Sequence, residues 1–202
     1  MTDALPAIDP GRTALLVMDY QAGILDRIPD AAGLLARAAD AIATVRSYGG
    51  SIGYVRVAFE DADYDAIPPT SMMGARVASM GRALHADSPA TAIPDQVAPH
   101  ADDIQVRKIR VGAFSTTDLD QQLRDRGIDT LILAGLSTSG VVLSTVRDAH
   151  DRDYRVLVLA DLTADPDQEV HDFLTGRVFP RQASVITTAD IPGLMSRRGA
   201  GL

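Results

Sequence analysis

An alternation of apolar runs with helix-like segments constrains the fold of this chain more than any other feature of the sequence. The first run, "TALLVMD" at 13–19, stays apolar until its closing aspartate, which is typical of a parallel strand buried on both faces. Further strands are predicted at 51–59, 103–108, 129–135, 154–161 and 182–188. Helices are predicted at 31–50, 115–126, 139–152 and 167–176, with a short one near the end of the chain. This alternation indicates an α/β fold in which a parallel sheet carries helices on both faces.

Between the second and third strands lies a long segment, residues 60–103, that has no clear periodicity. It holds five prolines, Pro68, Pro69, Pro89, Pro94 and Pro99, and we expect at most a short helix near 72–85. A long irregular segment in a compact domain is often a lid over a functional site. The acidic stretch "DADYD" at 61–65 lacks the glycine and the closing glutamate of a calcium loop, so we predict a solvated loop there.

The composition fits a single domain spanning residues 1–202 and excludes several classes of function. Hydrophobic residues make up 46% of the chain, which is enough for a full core. The formal net charge of −8 gives no general attraction for nucleic acid or an anionic membrane, and no apolar run is long enough to cross a bilayer. We therefore expect a cytoplasmic protein. The chain has no cysteine, which excludes disulfides, thiolate metal sites and a cysteine nucleophile.

Two charged residues stand at predicted strand ends. Asp19 closes the first strand, and Lys108, the single lysine of the chain, closes the third. Ligands of α/β proteins bind at the carboxyl ends of parallel strands, so the two side chains converge with the turn after Gly135 if these strands are neighbours. Asp19 is then either a cap for a loop or an acid or base, and Lys108 is either a surface residue or its partner. An ammonium beside Asp19 would lower the pKa of the carboxylate, whereas burial would raise it.

The turn after the fourth strand, "LSTSG", joins a strand to a helix. Either it is an ordinary capped turn, or its backbone amides at Ser137, Thr138 and Ser139 form an anion site. The hydroxyls of these residues and of Ser144 are possible nucleophiles, but each needs an adjacent base, and all four histidines lie far from the turn in sequence. Gln21 either hydrogen-bonds a substrate or faces solvent. No cluster has metal-ligand spacing.

Three segments together resemble the isochorismatase-like hydrolase superfamily: "LLVMDYQ", "RKIRVGAF" and "LILAGLSTSGVVLSTVRDAHDRDYRVLVLAD". The resemblance covers roughly residues 12–190. It implies a three-layer αβα fold with a six-stranded parallel sheet in the order 3-2-1-4-5-6. It also implies a homodimer or homotetramer, and a cis peptide bond between Leu136 and Ser137. Some members bind a metal through Asp and His after the second strand, but "VRVAFEDADYD" has no histidine, so we predict neither a metal nor a cofactor.

The resemblance also suggests a mechanism and shows where this chain departs from it. Most members use an Asp–Lys–Cys triad, which corresponds here to Asp19, Lys108 and Val141, so hydrolysis through a thioester is excluded. Members that cleave a vinyl ether need no cysteine, because an aspartate protonates the enol carbon and water adds to the resulting cation. Their substrate carries two carboxylates, for which we consider the following arginines: Arg56, Arg76, Arg82 and Arg110.

Three hypotheses follow for a small-molecule site. The first is a cysteine-independent hydrolase of a vinyl ether or a related C–O or C–N bond, in which Asp19 and Lys108 are catalytic. The second is a non-catalytic member of the family that binds a small molecule. The third is a hydrolase with a serine or threonine nucleophile. The residues expected to bind the substrate are Gln21, Ser137, Thr138, Ser139 and Val141.

Overall fold

Six parallel strands form one sheet at the centre of the molecule. The computed structural model describes residues 6–196, and its strand order is β3-β2-β1-β4-β5-β6. The bounds are β1 Thr13–Met18, β2 Ser51–Val57, β3 Ile104–Lys108, β4 Thr130–Leu136, β5 Arg155–Ala164 and β6 Ser184–Ile186. The predicted α/β class and the order 3-2-1-4-5-6 are both confirmed.

Helices cover both faces of this sheet. Their bounds are α1 Ala22–Leu25, α2 Ala31–Ser47, α3 Asp61–Asp65, α4 Met72–Met80, α5 Leu119–Asp125, α6 Leu143–Asp151, α7 Gln168–Phe173 and α8 Ile191–Met195. Two π-helical turns, Thr138–Val142 and Leu174–Val178, adjoin α6 and α7. No helix in the described part of the chain is both long and apolar enough to span a membrane.

Strand β1 supplies both cores because its side chains alternate between the two faces of the sheet. Leu15 and Val17 pack in the cluster that contains the apolar face of α2 and all of the buried residues of α8. Leu16 and Met18 pack in the opposite cluster, with the buried faces of α5 and α6. Every residue of β1 is buried, as its continuous apolar sequence predicts.

The elements predicted at 61–65 and 115–126 differ from the structure. The stretch 61–65 is the short helix α3 rather than a loop, because Glu60 and Asp63 form a reciprocal capping box at its start. Helix α5 begins at Leu119 with Asp118 in the capping position, not after Ser115, Thr116 or Thr117. Asp118 makes no side-chain hydrogen bond to the helix, and the Thr117 hydroxyl, which donates to the Ala113 carbonyl, accepts from the Leu119 amide at 3.4 Å.

The segment between β2 and β3 folds over the carboxyl edge of the sheet around a small hydrophobic cluster of its own. Its buried members are Phe59, Ile67 and Val77. Phe59, two residues after β2, forms a parallel bridge with His85, which joins the two ends of residues 60–84. Residues 60–84, which contain α3 and α4, are called the lid below. The expected helix near 72–85 is α4, and it ends at Met80.

Candidate active site

Asp19 and Lys108 form a buried ion pair at the carboxyl edge of the sheet. The Lys108 Nζ atom lies 2.9 Å from Asp19 Oδ2, and the two side chains are 2% and 6% exposed. The expected juxtaposition is present, although the strands are not neighbours, since β2 lies between β1 and β3. Asp19 follows β1 in a left-handed conformation, with a φ of 60°, and its amide donates to the Val55 carbonyl of β2. The long lysine side chain therefore meets the carboxylate across the end of β2.

All three ammonium protons of Lys108 have acceptors within the protein. Besides Asp19, the Nζ atom donates to the carbonyls of Arg110 at 3.2 Å and Val111 at 3.0 Å. A lysine ammonium has three donors, so this cation is fully hydrogen-bonded before any ligand enters. The neighbouring Arg107 points to the other face of β3 and binds Asp63, as the alternation of the strand predicts.

Burial makes the Asp19 carboxyl group a weaker acid than an exposed aspartate. Burial raises the pKa of Asp19 above its ordinary value, and the charge of Lys108, its hydrogen bond and the nearby Val57 amide lower the pKa without cancelling that effect. Among the described residues, the Oδ1 atom is buried and has no hydrogen-bond partner. A proton on Asp19, or a donor from a ligand, would satisfy this oxygen.

A cavity of about 380 Å³ lies beside this pair, between the strand ends and the lid. Asp19 and Lys108 form part of its floor, and Val57 and Phe59 extend its apolar wall. Met73, Met80 and Leu84 line it from the lid side. A largely apolar cavity of this size with a few polar groups is typical of a small-molecule site.

The turn after β4 divides its residues between the cavity and the protein interior. The Leu136–Ser137 peptide bond is cis, as the resemblance implies. Ser137, Gly140 and Val141 line the cavity. Thr138 and Ser139 are not in its lining, and neither is Ser144. The helix predicted to start at Ser139 begins in the structure as the π-helical turn Thr138–Val142. The geometry of this turn determines which of its residues face the cavity.

Thr138 and Ser139, which do not line the cavity, have hydrogen-bond partners on α7 and in the loop before it. Thr138 is fully buried, with its Oγ1 atom 2.8 Å from His171 Nδ1. The amide and the hydroxyl of Ser139 both donate to Asp165. The amides of Gly140 and Val142 donate to the Ser137 carbonyl. The Asp165 carboxylate thus occupies the Ser139 amide, and binding of a substrate anion by the amides of Ser137 and Thr138 stays a prediction.

Gln21 lines the cavity without facing solvent. Its Nε2 atom donates to the carbonyls of Val57 at 2.9 Å and Thr91 at 3.0 Å, and its Oε1 atom accepts from the Val57 amide at 2.8 Å. The side chain is 1% exposed. Its amide therefore fixes the ends of β1 and β2 relative to each other, and contact with a substrate through its remaining lone pair stays a prediction.

Three arginines line the cavity, and only two of them were expected. Arg76 and Arg110 are present, together with Arg27, which sequence reasoning missed. Arg56 and Arg82 are not in the lining: Arg56 reaches the Ala86 carbonyl and Arg82 pairs with Asp61. Its position in the sequence could have indicated Arg27, because it lies a few residues after Asp19 in the segment that follows the carboxyl end of β1. Within residues 6–196 there is no group of three or more His, Cys, Asp or Glu placed to hold a metal ion.

The fold and this site define an α/β protein with a buried ion pair beside a small cavity at the carboxyl edge of a doubly wound sheet. Residues 13–190 match the isochorismatase domain, and the chain belongs to the isochorismatase family. It is 34% identical over 183 residues to the isochorismatase family protein YwoC of Bacillus subtilis, covering 91% of this chain and 94% of that protein.

Two further comparisons support the same assignment. The ureidoacrylate amidohydrolase RutB of Methylobacterium radiotolerans is 33% identical over 177 residues, which cover 78% of this chain and 69% of RutB. The structure of an isochorismatase family protein from Burkholderia thailandensis superposes with a TM-score of 0.80 at 26% identity, covering 96% of this chain and all of that one.

Proposed function

We propose that this protein is a hydrolase that acts on a small molecule without a cysteine nucleophile, with Asp19 as its general acid. The observation that carries the proposal is the burial of Asp19 at the cavity, which raises its pKa above the ordinary value and leaves its Oδ1 atom without a hydrogen-bond partner among the described residues. The family supports hydrolysis as the class of reaction, and a relative such as RutB is named an amidohydrolase. The absence of cysteine from the chain argues for a route without a thioester.

The bond that best suits this site is the C–O bond of a vinyl ether, or a related C–O or C–N bond. Asp19 gives its proton to the enol carbon, and the positive charge that results is shared with the ether oxygen. Water adds to that cation and its proton returns to Asp19, after which the adduct separates into an alcohol and a carbonyl compound. No bond to the protein forms at any stage, so the reaction needs only an acid and electrostatic support.

Lys108 serves this step as a positioning residue. Its three protons are held by Asp19 Oδ2 and two backbone carbonyls, so none is left for the substrate. It fixes one carboxylate oxygen, which leaves the other as the atom that exchanges a proton. It also stabilises the negative charge that Asp19 acquires once the proton has gone.

The Asp19→Asn variant tests the proposal directly. We expect turnover to fall about 10²–10⁴-fold, because an amide cannot deliver the proton. The matched control is Asp161→Asn: Asp161 lies on β5 and caps Thr188 without lining the cavity, so activity should be retained. Circular dichroism and the Tm of both variants establish that the fold persists. Activity close to that of the wild type in Asp19→Asn would reject the proposal.

A non-catalytic member that binds a small molecule is the second candidate, and one observation favours it. Val141 occupies the position of the cysteine nucleophile in the enzymes that this chain resembles. It is 2% exposed and packs in the core beneath the cavity. A panel of vinyl ethers, amides, ureides and nitriles separates the two candidates. Saturable binding without turnover favours the binding protein, and any turnover that depends on Asp19 favours the hydrolase.

The hypothesis of a hydroxyl nucleophile is supported best at Ser137. Of the residues considered, only Ser137 lines the cavity, and no histidine lies in that lining. We expect mass spectrometry of the protein during turnover to detect no covalent adduct. A substrate-derived mass on Ser137 would replace the proposed mechanism with acyl or glycosyl transfer through that residue.

A further inference from the structure

The cavity contains an acid but no separate base that would activate a water molecule. Within residues 6–196 its lining has a single carboxyl group, Asp19, and no histidine. The Lys108 ammonium donates its three protons to Asp19 and to two backbone carbonyls, so this side chain cannot take up a proton. The Gln21 amide donates to two backbone carbonyls and is not a base. The site is therefore better equipped to protonate a ligand than to deprotonate water.

Asp19 is also placed to give a proton to a carbon atom. Its Oδ2 atom lies 2.9 Å from the Lys108 ammonium, whereas its Oδ1 atom is buried and has no hydrogen-bond partner among the described residues. The cavity wall beside it is apolar, with Val57 and Phe59 as members. Such a wall accepts a hydrocarbon skeleton and offers the carboxyl proton no competing acceptor. This surrounding favours transfer of the proton to carbon.

Ser137 supplies a hydroxyl group at the neighbouring strand end. Met18 of β1 pairs with Gly135 of β4, so Asp19 and Ser137 follow adjacent strands by one and two residues. Within the described residues, Ser137 has the only hydroxyl of the cavity lining. A Cβ atom at Gly140 would lie 2.8 Å from Ser137 Oγ, so glycine leaves this hydroxyl room to turn. A hydroxyl group both donates and accepts hydrogen bonds, and it can therefore hold the oxygen of an enol or of a ketone.

We propose that this site also catalyses a second reaction, the conversion of small enols into their carbonyl tautomers. Asp19 gives its proton to the enol carbon, and the electron pair of the C=C bond forms the new C–H bond. The enol O–H bond breaks, its electron pair completes the C=O bond, and its proton passes to solvent, from which Asp19 is reprotonated. Ser137 accepts a hydrogen bond from the enol hydroxyl at the start and donates one to the ketone at the end.

This isomerisation consumes no water and releases no leaving group. It rests on the proposed function in one step only, the transfer of a proton from Asp19 to carbon. The hydrolysis of a vinyl ether needs that step and then the addition of water, whereas an enol carries within its own hydroxyl group the proton that must be lost. A site with one acid and no base for water is thus sufficient for enols.

Two enols test the proposal: the enol form of methyl phenylpyruvate, which is neutral, and the enol form of phenylpyruvate, which is an anion. The decay of their ultraviolet absorbance is followed with the wild type and in buffer alone. We expect the protein to accelerate the decay of at least one enol, with a rate that saturates as the enol concentration rises. Saturation can be measured without any variant, and carboxylates on the protein surface cannot produce it.

Variants then assign the acceleration to the cavity. Asp19→Asn should reduce it about 10²–10⁴-fold, because the proton donor is lost. Ser137→Ala should reduce it roughly threefold to tenfold, because one hydrogen bond to the substrate oxygen is lost. The matched control is Ser47→Ala: Ser47 is exposed at the end of α2 and donates to the Thr44 carbonyl, so the rate should not change. Circular dichroism and the Tm of each variant establish that the fold persists.

The inference is overturned if both enols decay as they do in buffer, if the acceleration does not saturate, or if Asp19→Asn retains it. Equal rates in Ser137→Ala and Ser47→Ala would reject the role of Ser137. Asp19-dependent hydrolysis of a vinyl ether without any acceleration of enol decay would reject this inference and keep the proposed hydrolysis. Saturable, Asp19-dependent enol decay without hydrolysis of any compound in the panel would do the reverse.

Discussion

At the scale of single residues, Lys108 and burial act on Asp19 in opposite directions. Burial raises the pKa of Asp19 and the lysine charge lowers it. A general acid works in its protonated form, so kcat/KM falls as the pH rises through the pKa of Asp19. Removing the lysine charge raises that pKa further, and the falling limb of the pH profile should therefore move to higher pH in Lys108→Met.

The measurement is the pH dependence of kcat/KM for both proteins, supported by a ¹³C NMR titration of the Asp19 carboxyl carbon. The NMR signal separates a shifted pKa from a general loss of structure. A limb that stays in place or moves to lower pH would contradict the assignment of Asp19 as the titrating acid.

The residues of the site could be predicted only in part. Asp19 and Lys108 were predictable because strand ends of a parallel sheet meet at one edge; Asp19 directly follows β1 and Lys108 is the last residue of β3. The orientation of the turn residues was not, since a π-helical turn directs Thr138 and Ser139 toward α7. His171 lies far from Thr138 in sequence, and a contact of that kind depends on how α7 packs.

At the scale of elements, Gln21 joins the ends of two strands to the segment that leads away from the lid. Its side chain satisfies the Val57 amide and the carbonyls of Val57 and Thr91 in a nearly fully buried position. Replacement by leucine keeps the volume but leaves these groups without partners. We expect Gln21→Leu to lower the free energy of unfolding by about 2–4 kcal/mol.

Chemical denaturation of Gln21→Leu, with Gln121→Leu beside it, measures that loss. Gln121 is exposed on α5 and bonds only the Asp125 side chain, so its replacement should change stability by less than about 0.5 kcal/mol. Equal effects of the two substitutions would mean that the buried amide of Gln21 does not hold the strand ends together.

Elements with a clear pattern followed from the sequence: α2 from its helical periodicity and β1 from its continuous apolar run. Short elements did not: α3 depends on a capping box between Glu60 and Asp63, and its sequence alone has too few residues to show helical periodicity. Strand β5 extends to Ala164, beyond the predicted end at Asp161, because its register with β4 shifts between Leu133 and Gly135 and pairing resumes.

At the scale of the whole molecule, three hydrophobic clusters differ greatly in size. The two clusters on the faces of the sheet each contain buried residues from several strands and helices, whereas the lid cluster has three buried members. Helix α4 buries only Val77. We therefore expect the amides of α4 to exchange hydrogen through local opening and those of β1 and β4 through global unfolding.

Native-state hydrogen exchange at increasing denaturant distinguishes the two routes. Exchange in α4 should be insensitive to low denaturant, and exchange in β1 and β4 should accelerate with it. Equal protection of α4 and β4 would show that the lid unfolds only with the rest of the molecule.

The layered α/β architecture was predictable because it follows from the alternation of strands and helices in the sequence. The expected homodimer or homotetramer stays a prediction.

The complete engagement of the Lys108 ammonium has a stereochemical consequence. With one oxygen of Asp19 fastened to the lysine, a prochiral carbon would receive its hydrogen from the other oxygen, along a single line of approach. In deuterium oxide, such a reaction would add deuterium to one face of that carbon. The product would then carry a single configuration at the labelled carbon, because the Asp19–Lys108 pair leaves only one oxygen able to deliver the deuterium.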